Sequence, residues 1–412
     1  MNLKIDQQRL QSEIDELAQI TAGSPPVVTR VVFSPADLKA RAWLAGKCRE
    51  ARLSIRTDAI GNTFARWQGT EPNLPAVGTG SHIDAIPNAG KYDGVVGVLG
   101  GLEAIRALER ANFHPKHSID LLVFTAEEPT RFGVGCLGSR LLSGVLSPES
   151  AARLVDDHGD SLDAVRSTAN FSGDLTSVRL PASRYKAFVE LHIEQGPILE
   201  REKTPVGIVQ RIAAPASANF LLEGSGGHAG GVLMPDRKDA LCAASELILA
   251  VEGAARSTDA ADTVATVGIC EVFPGAVNSI PSRVRLSLDV RDTDLLRRDS
   301  VMQKIAEAAN VIASKRAVSI RTDLLNADAP ADCSPVVTQV LADSCRAHSF
   351  RYLEMVSRAY HDSLFMARIA PTGMLFIPCR NGWSHRPDEY SSPEDIARGT
   401  LVLAEALARL SA

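Results

Sequence analysis

The sequence predicts an α/β protein with a second domain inserted into the first. Three features lead there: chain length, short apolar runs alternating with helical-period segments, and a middle stretch with its own strand and helix order. At 412 residues the chain exceeds most single domains. In the first half, runs rich in Val, Leu, Ile and Phe alternate with segments of helical spacing, the pattern of a largely parallel sheet. The order then changes. Residues 220–223 read as a strand, 239–251 as a helix, 263–273 and 283–290 as strands, 294–314 as a helix and 318–324 as a closing strand. This βαββαβ order is ferredoxin-like. The expected domains are therefore 1–210 with 326–412, and an inserted 211–325, with the proline-containing 326–335 as return linker.

Composition narrows the function classes. With 45% apolar and 23% charged residues the chain can bury a large core. A net charge of −5 leaves no global basic field, which argues against a nucleic-acid partner. Arg291, Arg297 and Arg298 are interspersed with Asp and read as a solvated helix face. Seven cysteines without a Cys-x-x-Cys pair suggest reduced thiols rather than a disulfide framework. The first twenty residues read as an amphipathic helix, without the apolar run and cleavage site of a signal peptide. No apolar stretch reaches bilayer-spanning length, so a cytoplasmic protein with no membrane partner is expected.

Open α/β sheets bind ligands beyond the carboxyl ends of their strands, so the residues after each apolar run matter most. Four runs are informative: 76–80, Ile119–Phe124, 187–191 and 374–378. The first leads to His82 and Asp84, then Asp93 and Gly94. The second leads to Glu127 and Glu128, the third to His192, Glu194 and Gln195, the fourth to His385. Only nine histidines occur in the chain, yet three fall at these ends. Carboxylate and imidazole are the ligands of hydrolytic zinc, manganese or cobalt. Two such ions sharing a carboxylate acidify a water and polarise a carbonyl, as amide hydrolysis requires.

Each piece alone has a plain structural reading. His82-x-Asp84 can be a hydrogen-bonded pair, Glu127-Glu128 a solvated turn, His192 a satisfied core histidine and His385 an inert loop residue. Their coincidence at four strand ends favours a metal centre. There Asp84 can accept the proton of the His82 nitrogen that faces away from the metal. Of the adjacent Glu127 and Glu128, one can ligate while the other takes a proton from the water.

The segments FTAEEPTRFGVGCLGSRLL, GGHAGGVLMPDRKDA, GAVNSIPS, SRAYHDSLFMARIAPTGMLFIPC and SHRPDEYSSPED carry a wider likeness. Through them the chain resembles the hydantoinase/carbamoylase branch of the dinuclear metallopeptidase-like amidohydrolases along nearly its whole length. The resemblance implies a mixed-sheet, aminopeptidase-like catalytic domain carrying an inserted ferredoxin-like lid and dimerisation domain. It also implies two divalent ions, manganese first, with zinc, cobalt or nickel as alternatives. His82, Asp93 and His192 would surround one ion; Asp93 again, Glu128 and His385 the other; Glu127 would be the general base. His228 would stabilise the oxyanion, across the interface of a homodimer. Asn278, Arg291 and Gln195 would contact substrate, with Arg291 gripping a carboxylate. Pairing of Arg291 with Asp289 or Asp292, and an ordinary surface role for His228, remain the plain alternatives.

In the 357–362 run, many members of the branch carry small residues where this chain has Arg358 and Tyr360. Tyr360, and His361 beside it, are further candidate substrate contacts, and a tyrosine there would favour a short polar substrate. The implied reaction is hydrolysis of the ureido C–N bond of (S)-ureidoglycolate to glyoxylate, ammonia and carbon dioxide. An N-carbamoyl-L-amino acid, allantoate or an N-acyl amino acid conjugate is the alternative substrate. A catalytically silent binding relative is disfavoured by the complete ligand set, and an exopeptidase by His192.

Overall fold

The structure is a computed structural model that describes residues 3–412; Met1 and Asn2 of the expected first helix lie outside the described residues. The chain divides into two compact units. The first comprises Met1–Gln210, Asp332–Ser357 and His361–Ala412, the second Arg211–Ala331 with Arg358–Tyr360.

Among the described residues, the first unit's sheet has nine strands, four of which form a parallel centre. That centre is β1 (Ala76–His82), β2 (Ile119–Phe124), β3 (Tyr185–Ile193) and β4 (Thr372–Ile377), in spatial order β4-β3-β1-β2. All three contacts between these neighbours are parallel, so their carboxyl ends share one edge. The flanks are antiparallel: Val206–Ile212 lies against β4, and Thr63–Trp67 against β2. The sheet is thus mixed rather than largely parallel. Ser54–Thr57 and Thr63–Trp67 are joined by only five residues, too few for a crossover helix, so they pair as a hairpin.

Every residue of β1 and β2 is buried, as expected for strands covered on both faces. Alternation along β2 feeds two cores. Ile119, Leu121 and Val123 join a cluster with helix α1 (Val95–Arg110) and helix α2 (Pro393–Ser411), while Leu122 and Phe124 join another with Leu137, Leu141 and Phe188. The strands also run further than their apolar stretches suggest, so His82 and His192 belong to strands and are almost fully buried.

The second unit has the antiparallel strand order 264–273, Arg283–Asp292, Ala214–Glu223, Ser319–Ala327, with helices Ala240–Arg256 and Leu295–Arg316. The expected single strand at 263–273 is broken into Val264–Thr266 and Cys270–Phe273. Between them Ile269 donates its N–H to the Ser287 hydroxyl instead of a ladder carbonyl. The closing strand reaches Ala327, so the first residues of the expected linker are paired. Asn326 turns its side-chain oxygen onto the Ser217 N–H where the register shifts. Nor is the arginine cluster a solvated face. Arg298 is 1% exposed and bonds Asp299 and the Asp328 carbonyl, and Arg297 pairs with Asp292.

Arg30 is a buried clamp in the first unit: its guanidinium donates to the carbonyls of Leu17, Ile20 and Ile83, the last between His82 and Asp84. Arg30→Ala deletes three buried hydrogen bonds, although the Leu17 carbonyl keeps a backbone donor in the Ile20 N–H, and is expected to cost about 3 kcal/mol, read as a lowered urea midpoint. An unchanged midpoint would remove Arg30 from that role.

Candidate metal centre

The four parallel strand ends bring their side chains to one place. His82 closes β1, and Asp93 and Gly94 follow on the loop that starts α1. Glu127 and Glu128 follow β2, His192 lies near the end of β3, and His385 sits beyond β4. Gly94 is obligatory here: its φ is +65°, and a Cβ would lie 2.4 Å from His82 Nε2.

Asp93 is the hub. Its Oδ1 stands 3.6 Å from His82 Nε2 and 3.1 Å from His192 Nε2. Its Oδ2 stands 3.2 Å from His385 Nε2, which is also 3.2 Å from Glu128 Oε1. Two trios therefore share one carboxylate: His82, Asp93, His192 and Asp93, Glu128, His385. Ligand atoms about 2.1 Å from one tetrahedral ion stand about 3.4 Å apart, so these separations fit a divalent cation in each trio. The tautomers fit as well. The Nδ1 atoms of His82 and His192 face the carbonyls of Asp84 (3.0 Å) and Ile193 (2.9 Å), which leaves each Nε2 for the centre.

Asp84 meets His82 Nδ1 with both its carbonyl, at 3.0 Å, and its carboxylate Oδ1, at 3.6 Å, and the carboxylate also accepts the N–H groups of Glu127 and Glu128 at 3.3 and 3.1 Å. It thereby fixes the glutamate pair. Glu127 Oε2 lies 3.7 Å from His82 Nε2, and its Oε1 faces the Cys136 thiol.

Several other side chains complete the floor. Gln195 donates to Asp93 Oδ2 at 2.8 Å and to Ser384 Oγ at 3.2 Å, so it contacts the central carboxylate rather than standing clear for substrate. Ser384 Oγ lies 2.7 Å from Asp93 Oδ2 and 2.9 Å from Glu389 Oε2, while Glu389 accepts the N–H groups of Tyr92 and Asp93. His361 is 2% exposed, its ring 4.4 Å from that of His192 and its Nε2 3.1 Å from Ser357 Oγ. Burial behind His192 suits it to bracing that ring, not to contacting substrate. A third metal-capable trio, Glu190, His192 and His361, is otherwise engaged, since Glu190 accepts from Ser81 Oγ and from Ser363 N–H and Oγ.

Sequence reasoning missed Ser384, Glu389, Glu190 and Asp362. Glu190 had a signal, an acid inside an apolar strand. Ser384 and Glu389 flank His385 in SHRPDEY, and Asp362 follows His361.

On the second unit, His228 pairs with Ser279 across two short strands, and Asn278 lies in the turn just before the second of them, with the Ala229 N–H donating to the Asn278 carbonyl at 2.8 Å. His228 is exposed, and its Nδ1 accepts the Gly230 N–H. Arg291 takes the plain alternative: it pairs with Asp289, Nε to Oδ1 at 2.7 Å, and its guanidinium lies 5.8 Å from the Tyr360 ring centre. Tyr360 is half-buried, and neighbouring Arg358 pairs with Asp262.

Charge in the first-unit cluster is strongly redistributed. Burial alone would depress the His82 imidazolium, but Glu127, Asp84 and Asp93 outweigh it and raise the group well above its ordinary value. Burial likewise opposes a raised His192, which Asp93 supplies. Hydrogen bonds donated by His385 to the Asp93 and Glu128 carboxylates push it up to about 11. Burial would raise Asp93, yet the three imidazoles hold it well below the carboxylate range. Burial raises Glu127 well above that range, and lifts Asp362 to about 8 and Glu389 to about 7.

Comparisons with known proteins show the family. Residues 78–409 match the model of peptidase family M20/M25/M40, and the chain belongs to that family. It is 52% identical to the ureidoglycolate hydrolase of Arabidopsis thaliana over 417 aligned residues, covering 100% of this chain and 88% of that protein. The N-carbamoyl-L-amino-acid amidohydrolase of Pseudomonas sp. (strain NS671) is 38% identical, covering 98% of each chain. Among solved structures, AtUAH in complex with glyoxylate superposes with a TM-score of 0.93 at 52% identity, covering 99% of this chain and 98% of that one.

Metal loading must displace the protons that the raised imidazoles hold. Divalent-ion affinity is therefore expected to weaken as pH falls, by about tenfold per pH unit for each proton displaced. Calorimetric metal titration in buffers of different ionisation heat checks this, and binding independent of pH would contradict it.

Proposed function

We propose that this chain is a metal-dependent amidohydrolase that cleaves the ureido C–N bond of (S)-ureidoglycolate. The observation that carries the chemistry is the sharing of Asp93 by two ligand trios with Glu127 beside them. The substrate is supported by the 52% identity to a ureidoglycolate hydrolase along the whole chain.

His82, Asp93 and His192 would hold one divalent ion, and Asp93, Glu128 and His385 the second, with manganese first by resemblance. When bound, the pair supplies an acidified water and an electrophilic clamp for the carbonyl. Glu127 accepts a proton from the attacking water and returns it to the departing nitrogen. Its raised pKa, caused by burial, suits both halves of that task. Gln195 and Ser384 hold Asp93 in place through its Oδ2. His228 stabilises the oxyanion, supplied by the second unit of a partner copy in a homodimer. Arg291 and Asn278 take the substrate carboxylate, with Arg291 exchanging Asp289 for it, and Tyr360 beside Arg291 favours a short acid. The two products then break down: the carbamate to carbon dioxide and ammonia, and the 2-amino-2-hydroxyacetate (hydroxyglycine), by loss of a second ammonia from its α-carbon, to glyoxylate.

The test is release of ammonia and glyoxylate by manganese-loaded protein given (S)-ureidoglycolate beside allantoate and N-carbamoyl-L-amino acids. Fastest turnover of ureidoglycolate, lost on chelation, is expected. Preference for another ureido compound would keep the chemistry and change the substrate. Glu127→Gln should retain metal and lose turnover by about three orders of magnitude or more, and comparable activity would end its role as base.

Subunit exchange tests the dimer. Mixing inactive His228→Ala and Glu127→Gln proteins should restore part of the activity. No recovery after confirmed exchange would place each site within one chain.

A further inference from the structure

The segment after Glu128 contains a residue that its backbone conformation does not call for. The seven-residue helix Leu137–Ser143 begins at Cys136, which has φ 53° and ψ 33°. That left-handed conformation is disfavoured for any residue with a Cβ. The stretch GVGCLG is rich in glycine, and Gly133 occupies a left-handed position of its own at φ +67°. At Cys136 a glycine would satisfy the backbone more easily. The thiol is what cysteine adds.

That thiol points at one atom. Cys136 is fully buried, and its Sγ donates to Glu127 Oε1 at 3.6 Å, an ordinary reach for sulfur. Glu127 Oε2 instead faces His82 Nε2. The two oxygens of the carboxylate therefore have different neighbours, one held and one turned to the ligand cluster. Backbone pairing locks the register of this contact. The N–H groups of Cys136, Leu137 and Gly138 donate in turn to the carbonyls of Glu127, Ala126 and Thr125 at 2.8, 2.9 and 2.8 Å.

We infer that Cys136 is a positioning residue for Glu127, its thiol holding Oε1 so that Oε2 faces the reacting water. This inference rests on the reading of Glu127 as the proton carrier. Burial, with the charges of Glu127 and Asp362, raises the thiol well above its ordinary value, so it stays protonated and remains a donor. A weak neutral donor suits the task. It restrains rotation of the carboxylate without the charge compensation a lysine or arginine would impose, which would weaken Glu127 as a base.

The experiment compares Cys136→Gly, Cys136→Ala and Cys136→Ser in the full-length, manganese-loaded protein on (S)-ureidoglycolate. It reads kcat, KM, metal content and melting temperature. Cys136→Gly relieves the left-handed backbone while deleting the donor. Its melting temperature and metal content should hold, KM should stay within about twofold, and kcat should fall about tenfold or more. Cys136→Ser keeps a hydroxyl donor and should recover part of that loss. A glycine variant with kcat within about twofold of the parent overturns the inference. Should the glycine variant fail to fold, serine and alanine variants of equal kcat overturn it in the same way. In a Glu127→Gln background the glycine change should cost nothing further. If Glu127→Gln itself stays active, the base assignment fails; if it is inactive while Cys136→Gly is normal, only the positioning role fails.

Discussion

Burial of the Asp93 carboxylate is the constraint around which the first unit is organised. A carboxylate removed from water must be compensated by donors or cations. Here the compensation comes from every direction: His82 and His192 on one oxygen, His385, Gln195 and Ser384 on the other, and Glu389 gripping the backbone beneath. Those groups arrive from the ends of β1 and β3 and from the segment beyond β4, so the sheet's central order is a precondition of the cluster. The surrounding acids exceed what three imidazoles can balance. Burial, opposed only in part by hydrogen bonds, pushes Asp362 up to about 8 and Glu389 up to about 7. A centre so rich in buried acid gains from cations of higher charge than a proton.

The backbone bears the same imprint. Gln195, Ala126, Cys136 and His385 all adopt positive φ without being glycine. Such conformations are disfavoured and persist where surrounding contacts over-determine them. Each belongs to a segment leaving a strand of the parallel core or to the loop beyond its last strand. Chain direction is thus bent sharply where the side chains must converge.

Much of this was legible in the sequence, for physical reasons that can be named. Strands buried on both faces betray themselves as continuous apolar runs, so the stretch Ile119–Phe124 was found with its bounds intact. Imidazole and carboxylate after such runs are chemically conspicuous, which exposed His82, Asp93, Glu127, Glu128, His192 and His385. Contacts depending on which atom of a residue is used left no trace. Asp84 offers its carbonyl and a carboxylate oxygen to His82 and the same carboxylate to the N–H groups of Glu127 and Glu128, and sequence cannot separate those roles. Arg298 was mistaken for a surface charge because its partner, the Asp328 carbonyl, belongs to the backbone and has no residue signature. Antiparallel flanking strands escaped as well, because strand direction is set by the length of the connection rather than by the strand's own residues.

The insertion of the second unit between β3 and β4 orders events in time as well as space. His82, Asp93 and His192 all precede the insertion, whereas His385 follows it. A nascent chain therefore carries every residue of the first trio before any of the second unit has been made. The other trio waits for the last part of the message, when β4 has been made and can pair beside β3. Translation thus makes the two halves of the centre available one after the other, and a chain cut short within the insertion would carry one complete trio without its companion.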